Sequence, residues 1–303
     1  MSGVPSAQTF MGKSVLMNYA TFPLYGIFIA QLYSYASKFA SRDSLYVKGI
    51  VALLTVVETV HTAALMHFLY FYSIASWSGE LTIFEISWST PLIAISETLM
   101  VVLAHSFYIR RIYIMSKGNW WLIGFLVALL ITRTAFSTCV TVLAATQNSF
   151  TTFHENATVQ LVVKTSLSLL VVADLSVAST MVYYLYQSRS GIKRSDHLVN
   201  TLIVYIINSG FITVIFSFAV VLSFVIQKQE LSFVGPLVMV TKLYANALLG
   251  SLNMRSYFRI QPSTSRPSGD VIAFATFPTS RGLECSIAPS NTQSQLGNKD
   301  ISS

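Results

Sequence analysis

Charged side chains are scarce in this sequence, since Asp, Glu, Lys and Arg together make up 10% of its 303 residues. Soluble globular proteins carry about 25% charged residues, so this shortage argues against a chain that is surrounded by water. Hydrophobic residues make up 53% of the chain, and the mean hydropathy is +0.60. A bilayer can accept these side chains because lipid tails are equally apolar. The composition therefore predicts an integral membrane protein.

Cysteine and acidic residues are also few. Cys139 lies in a predicted span and Cys285 in a polar tail, so we expect no structural disulfide between them. The 12 acidic residues are outnumbered by 19 Lys and Arg, which gives a formal net charge of +7. The basic residues form short clusters between apolar runs, a pattern typical of loops near anionic lipid rather than of a phosphate-binding groove. We therefore expect the lipid bilayer, and no nucleic acid, as a partner.

Seven apolar runs are each long enough to cross the hydrocarbon core as a helix, which takes about 20 residues. No small-residue cleavage site follows the first run, so we expect it to remain as a span. The predicted fold class is all-α: a seven-transmembrane helix bundle over 15–258, between an extracellular stub, 1–14, and a disordered cytoplasmic tail, 259–303. The predicted spans are 15–36, 48–72, 88–109, 120–146, 161–187, 198–226 and 233–253.

The basic residues also predict the orientation. The loops after the second and fourth spans carry no Lys or Arg, and the loop after the sixth carries only Lys228. Positive loops stay in the cytoplasm, so we expect the N-terminus outside and the C-terminus in the cytoplasm. Basic clusters follow the first, third, fifth and seventh spans: Lys38, Arg42, Lys48, Arg110, Arg111, Lys117, Arg189, Lys193, Arg194, Arg255 and Arg259.

A glycosylation signal agrees with this orientation. Asn156-Ala157-Thr158 is an N-glycosylation sequon in the loop after the fourth span, which the basic residues place outside. Asn156 is therefore the candidate glycosylation site. The plasma membrane is favoured over internal membranes.

Several predicted spans carry ionisable side chains, each of which costs at least about 2.5 kcal/mol at the bilayer centre. They must face the bundle interior, water or a partner. Helical rise places Arg133, Asp174 and Glu58 roughly 20 Å below the outer helix ends, and Glu97 and Lys242 at roughly 14 Å. The candidate intramembrane polar network consists of Glu58, His61, Glu97, Arg133, Asp174 and Lys242.

Similar depths suggest which of these residues pair. Arg133 and Asp174, on sequential spans, form the first candidate pair, and Glu97 with Lys242 forms the second. Such pairs either hold helices together or form a ligand, ion or proton site, and the sequence leaves both interpretations open.

Other chemistry has little support in the sequence. Glu58 and His61 lie about one turn apart and share a helix face. His61 and His105 differ in estimated depth by roughly 7 Å, which is unfavourable for a shared haem. No zinc spacing, nucleophile elbow or phosphate loop occurs, so we expect no metal, no cofactor, no catalytic residue and no enzymatic activity.

Several stretches along the chain carry a resemblance to a known family: Tyr25-Gly26, Gln31-Leu32-Tyr33, Phe107-Tyr108-Ile109-Arg110-Arg111, Asp174-Leu175-Ser176, Ser188-Arg189-Ser190-Gly191, Lys193-Arg194-Ser195-Asp196, Tyr205-Ile206-Ile207-Asn208, Tyr244-Ala245-Asn246 and Leu252-Asn253-Met254-Arg255. Together they resemble a large family of fungal membrane proteins, common in mushroom-forming species, that share a domain of unknown function. The resemblance extends over about residues 18–258, and Ser195 stands where the family usually has Thr. It implies a seven-span, receptor-like architecture, and it implies no activity and no catalytic residues.

Three functions remain open. The predicted topology, basic inner loops and polar tail favour a receptor or sensor, with a small-molecule ligand from the outside and a cytoplasmic signalling partner at the inner loops and tail. The ionisable residues within the spans would also suit a transporter or channel. The third function is a structural or interaction protein of the membrane without a small-molecule site.

Overall fold

The computed structural model describes residues 7–39, 43–78, 85–147, 149–150, 156–187, 193–226 and 232–260. Within these ranges the chain is helical, and its strand-like pairing is limited to one isolated bridge between Glu85 and Ser149. The all-α prediction is confirmed. The described helices are α1 (Ala7–Tyr19), α2 (Phe22–Phe39), α3 (Leu45–Ser78), α4 (Ser89–Met115), α5 (Trp120–Thr146), α6 (Ala157–Gln187), α7 (Lys193–Ile226) and α8 (Val234–Ile260).

The C-terminal segment from Gln261 to Ser303 lies outside the described residues, so the predicted disordered tail, Cys285 included, stays a prediction. The same holds for the loop between α6 and α7 with its predicted basic residue Arg189.

Five described segments are long and apolar enough to cross a membrane, and they correspond to the first five predicted spans. In α7 the described apolar stretch, Gly210–Ile226, is shorter. The length and composition of these helices support a multi-pass membrane protein. The five segments are Gly12–Phe39, Leu45–Ser73, Ser89–Met115, Trp120–Thr146 and Ala157–Gln187.

Helix α8 is the central helix of the bundle, and this explains why it is less apolar. It packs against α1, α2, α3, α4 and α7. Between Val240 and Leu252 every side chain except that of Leu243 is buried. Polar residues such as Lys242 and Asn246 therefore face other helices. A helix that is surrounded by protein needs no continuous apolar surface, so the lower hydropathy of α8 is compatible with its central position in the bundle.

The first predicted span is not one helix. Helix α1 begins at Ala7, within the predicted stub, and ends at Tyr19, after which α2 begins at Phe22. Thr21 accepts the first backbone hydrogen bonds of α2 and donates its hydroxyl to the Asn18 carbonyl over 2.7 Å. Pro23 follows in the first turn of α2, where its missing N–H is tolerated. A proline within the apolar run therefore marks the position of the break between α1 and α2.

Two asparagines of α8 connect it to α2. Asn246 donates through Nδ2 to the Leu24 carbonyl over 3.0 Å, and Asn253 donates to the Gln31 carbonyl over 2.8 Å. Donors and acceptors are both seven residues apart, so the two helices keep one register over about two turns. Side-chain hydrogen bonds of this kind are a common link between helices in membranes.

One end of the bundle, which we call the α1 end, carries α1, which packs against α3 and α8. Gly235, at the start of α8, faces Met17 of α1 so closely that an added Cβ would lie 2.9 Å from the Met17 Cβ. Nearby, Tyr72 donates its hydroxyl to the Glu85 carbonyl over 2.7 Å and accepts from the Ser87 amide over 3.0 Å. These contacts hold the connection between α3 and α4 against the end of α3.

At the opposite end a tight turn joins α4 to α5. Lys117 and Gly118 adopt positive φ values of 54° and 85°. Asn119 then caps α5 by accepting the Leu122 amide through its side chain over 3.4 Å. The short connection makes α4 and α5 antiparallel neighbours.

Candidate functional site: buried polar clusters and two chambers

All six residues of the predicted polar network are buried in the bundle. Their burial follows from the cost of exposing charge to lipid. They fall into three clusters with separate partners. The exposed fractions are 0% for Glu58, His61 and Lys242, 2% for Arg133, 5% for Asp174 and 6% for Glu97.

The first cluster surrounds the ammonium group of Lys242. Its Nζ donates to Glu58 Oε1 over 2.7 Å and to Thr62 Oγ1 over 2.5 Å. It also lies 5.4 Å from the ring centroid of Tyr25, within reach of a cation–π interaction. The ammonium is thus well satisfied by α2 and α3, whereas Glu58 Oε2 has no partner among the described residues. The ion pair between Lys242 and Glu58 thus connects α8 to α3.

The second cluster is the ion pair between Arg133 of α5 and Glu97 of α4. Arg133 Nη2 donates to Glu97 Oε1 over 2.5 Å. Its Nε and Nη1 are buried and have no partner within the described part of the chain. An unsatisfied buried polar group costs about 1–3 kcal/mol, so Arg133 retains hydrogen-bonding capacity for another molecule.

The third cluster surrounds the carboxylate of Asp174 on α6. Ser217 of α7 donates to Oδ2 over 2.6 Å, and the Tyr244 hydroxyl of α8 donates to Oδ1. His105 of α4 places Nε2 3.4 Å from Oδ1, while its Nδ1 lies 3.1 Å from the Val101 carbonyl. Four helices therefore meet at one carboxylate, and both of its oxygens have partners.

The predicted pairings were wrong. Arg133 contacts Glu97 rather than Asp174, and Lys242 contacts Glu58 rather than Glu97. Depth estimates compare positions along the membrane normal only, and they do not show which helices are neighbours. The tight α4–α5 turn makes α4 and α5 neighbours and brings Arg133 beside Glu97, and a depth difference of about 6 Å between their backbones lies within reach of the long arginine side chain.

The partners of Asp174 were missed in the sequence. The sequence predicts no partner for His105, and Ser217 and Tyr244 are residue types that are ordinary in membrane helices. The available signal was the similar depth of His105 and Asp174 in the half of the bundle opposite the α1 end. Serine and tyrosine hydroxyls give no comparable signal because they are tolerated at many positions.

An apolar cavity, which we call the main chamber, lies among α3, α4, α5 and α8; it is partly open and contains about 740 Å³ of empty space, the space at its open side included. His61 forms part of its wall, and both of its ring nitrogens are buried without a partner among the described residues. The lining residues are His61, Phe68, Ile86, Thr90, Ile93, Ala94, Glu97, Val140, Ala144, Phe150, Phe233, Val234, Leu237, Val238 and Thr241.

A smaller cavity of about 420 Å³, which we call the side chamber, adjoins the main chamber. Arg133 and Ser137 of α5 line it, together with apolar residues of α6. Glu97 stands in the wall of both chambers. The residues common to both are Ala94, Glu97, Val140, Phe233 and Leu237.

A third cavity, of about 440 Å³, lies beside Asp174 and is lined by His105, Tyr108 and Tyr244 among others. Its polar groups already bind one another, unlike His61 and Arg133. Among the described residues no group of three or more His, Cys, Asp or Glu side chains is arranged to hold a metal ion.

The candidate glycosylation residue Asn156 lies exposed at the start of α6, at the α1 end. Its Oδ1 accepts the amides of Thr158 and Val159 over 3.0 Å and 3.4 Å, so the side chain also caps the helix.

Residues 170–257 match the model of a family of unknown function, DUF6534. The matched segment begins in α6, includes α7 and ends in α8, so it contains Asp174, Lys242 and Tyr244. No curated protein and no solved structure matches the chain significantly.

Proposed function

We propose that this chain is a seven-helix membrane receptor or sensor that binds a small molecule in the main and side chambers. Helices α1 and α2 together form the first span, and α3 to α8 form the other six. The N-terminus lies outside and the C-terminus in the cytoplasm, and the plasma membrane is the favoured location.

One observation carries the proposal. His61 lines the main chamber and Arg133 lines the side chamber, and both buried side chains carry polar atoms that have no partner among the described residues. A purely structural bundle gains nothing from such groups, because each unsatisfied atom costs about 1–3 kcal/mol. A ligand that binds these atoms would recover that cost on entering.

The orientation is supported by the distribution of charge. The described connections at the α1 end lack basic residues, whereas Arg110, Arg111 and Lys117 lie near the opposite end. Positive residues favour the cytoplasmic side. The main chamber, which is lined by Ile86, Phe150 and Phe233 from the α1 end, would then face the outside. A signalling partner would bind at the basic end.

Ligand binding can be tested by thermal unfolding of the purified protein in nanodiscs with a library of apolar small molecules. A ligand for the folded state raises the unfolding midpoint with concentration. We expect at least one compound to stabilise the natural sequence. Ala94→Phe places a ring in the wall shared by the chambers and should abolish that stabilisation.

The matched control is Ala128→Phe, which adds the same group to an exposed position of α5. It should keep the response to the compound. The receptor proposal would be abandoned if no compound stabilised the protein, or if Ala94→Phe and Ala128→Phe responded alike.

The buried ion pairs also keep transport as a second candidate, since ionisable side chains within membrane helices often mark ion paths. Flux through proteoliposomes that contain the natural protein and Glu97→Gln separates the two functions. A transporter requires flux above that of empty vesicles and a change in the variant. A receptor requires neither.

A further inference from the structure

The charge of the two chambers restricts the molecule that can occupy them. The guanidinium of Arg133 and the carboxylate of Glu97 are in direct contact and cancel one another. The neighbouring charged pair, Lys242 and Glu58, cancels in the same way. A charged ligand would leave one net charge in a low-dielectric interior, which is strongly unfavourable.

The unpartnered atoms indicate the polar groups that the ligand needs. Arg133 offers the N–H groups of Nε and Nη1, which can only donate. A carbonyl or hydroxyl oxygen satisfies them. A neutral imidazole at His61 has one donor and one acceptor nitrogen, and a hydroxyl group can satisfy either.

The rest of the chamber walls is apolar. The shared wall presents Ala94, Val140, Phe233 and Leu237, and all four are only half-buried by the protein itself. An apolar chain that lies along this wall would remove the exposed surface, which stabilises by about 25 cal/mol per Å².

We propose that the chambers bind an uncharged, elongated apolar molecule whose carbonyl or hydroxyl oxygen accepts hydrogen bonds from Arg133. A hydroxyl group farther along the molecule would meet His61. The inference depends on the ligand-binding function proposed above, and it adds the chemical class of the ligand.

Four probes of equal chain length separate the classes: dodecan-2-one, dodecan-1-ol, dodecanoic acid and dodecane. Each is titrated into the protein in nanodiscs, with empty nanodiscs as the correction for partitioning, and the unfolding midpoint is the readout. The ketone and the alcohol should act at concentrations about tenfold lower than the acid or the alkane, because they alone add a neutral acceptor for a charged donor.

Neutralising Glu97 provides the sharper test. Glu97→Gln leaves the Arg133 charge unpaired, so the carboxylate of dodecanoic acid becomes the favourable partner. The order of the acid and the ketone should therefore invert in this variant, while Ala128→Phe keeps the original order. If Glu97→Gln does not fold, His61→Phe replaces it: a dodecan-2-one that carries a hydroxyl group farther along its chain should then lose about tenfold in affinity, while dodecan-2-one itself keeps most of its own.

The results distinguish the two proposals. Tightest binding of the acid or the alkane to the natural sequence overturns the ligand class, while ligand binding itself stands. Equal binding of all four probes, or an unchanged order in Glu97→Gln, overturns it as well. If no probe stabilises the protein, the neutral-ligand inference fails, and the receptor proposal fails only if the wider library is also without effect.

Discussion

Replacing His61 with phenylalanine should stabilise the protein in the absence of ligand, although phenylalanine is the larger side chain. The imidazole is fully buried, and neither ring nitrogen has a partner among the described residues. Phenylalanine keeps a flat ring of similar size and removes both unsatisfied atoms. The main chamber lies beside the ring and leaves room for the slightly larger side chain.

The expected magnitude follows from those two nitrogens. Each unsatisfied buried group costs about 1–3 kcal/mol, and exchange for an apolar group of the same shape can be neutral or stabilising. Allowing for partial relaxation around the imidazole, we expect about 1–3 kcal/mol of net stabilisation. By the scaling for domains of 150–250 residues, this raises the unfolding midpoint by a few degrees.

The assay is the unfolding midpoint of protein that is first stripped of its native lipid and then reconstituted in nanodiscs of defined lipid. No co-purified ligand then contributes to the midpoint. Ala63→Phe is the control, because it adds a ring to an exposed position of the same helix without removing a polar group. It should leave the midpoint unchanged. A lower midpoint for His61→Phe would show that the imidazole makes a stabilising interaction of its own, and the interpretation of His61 as a ligand-binding group would then be withdrawn.

Three further predictions concern the framework and the topology. Lys242→Met leaves the Glu58 carboxylate buried without its cation and should destabilise by about 3–5 kcal/mol, measured as a loss of folded protein by size-exclusion chromatography, while adding Glu58→Gln should restore most of it. Asn253→Leu removes one link between α2 and α8 and should cost only about 0.6 kcal/mol, so a midpoint shift of more than about 5 °C would contradict this role. Asn156→Asp preserves a helix-capping oxygen but removes the sequon, so in secretory cells it should abolish a glycosidase-sensitive mobility shift, and absence of that shift in the natural sequence would argue against an outside α1 end.

The sequence predicted burial of the charged residues far better than it predicted their partners. An ionised side chain within an apolar run has to leave the lipid, whatever the arrangement of helices, so burial of Asp174 and Lys242 follows from each helix alone. Partners depend on which helices are adjacent. The contact between Lys242 and Glu58 joins residues 184 positions apart, and no local pattern encodes it.

The break between α1 and α2 near Thr21 was not predicted, for a different reason. Pro23 lies within the apolar run, but a proline can bend a helix or stand at the start of a new one. Because the run is long enough for one span, the sequence does not distinguish these two cases. What the sequence did not show is that Gly235 allows α1 to pack closely on α8. That contact places a short separate helix over the α1 end.

The chambers themselves could not be predicted, because a cavity is a property of several helices at once. His61 illustrates this point. It shares a helix face with Glu58, yet Glu58 contacts Lys242, while His61, one turn farther toward the α1 end, lines the main chamber. Neighbouring positions on one helix thus serve different purposes, and only packing distinguishes them.

This separation gives the strongest argument that the interior is organised around a ligand. Asp174 accepts hydrogen bonds from Ser217 of α7 and Tyr244 of α8, and Lys242 fills its donor capacity with two oxygens and an aromatic ring. The bundle can therefore satisfy buried charge well. Arg133 has two donor nitrogens without a partner among the described residues, and its side chain lines the side chamber. Glu58 Oε2 also has no partner there, but Glu58 lines neither chamber. Arg133 and His61 combine unpartnered atoms with a position in a chamber wall, and this combination is why we propose that the chambers bind another molecule.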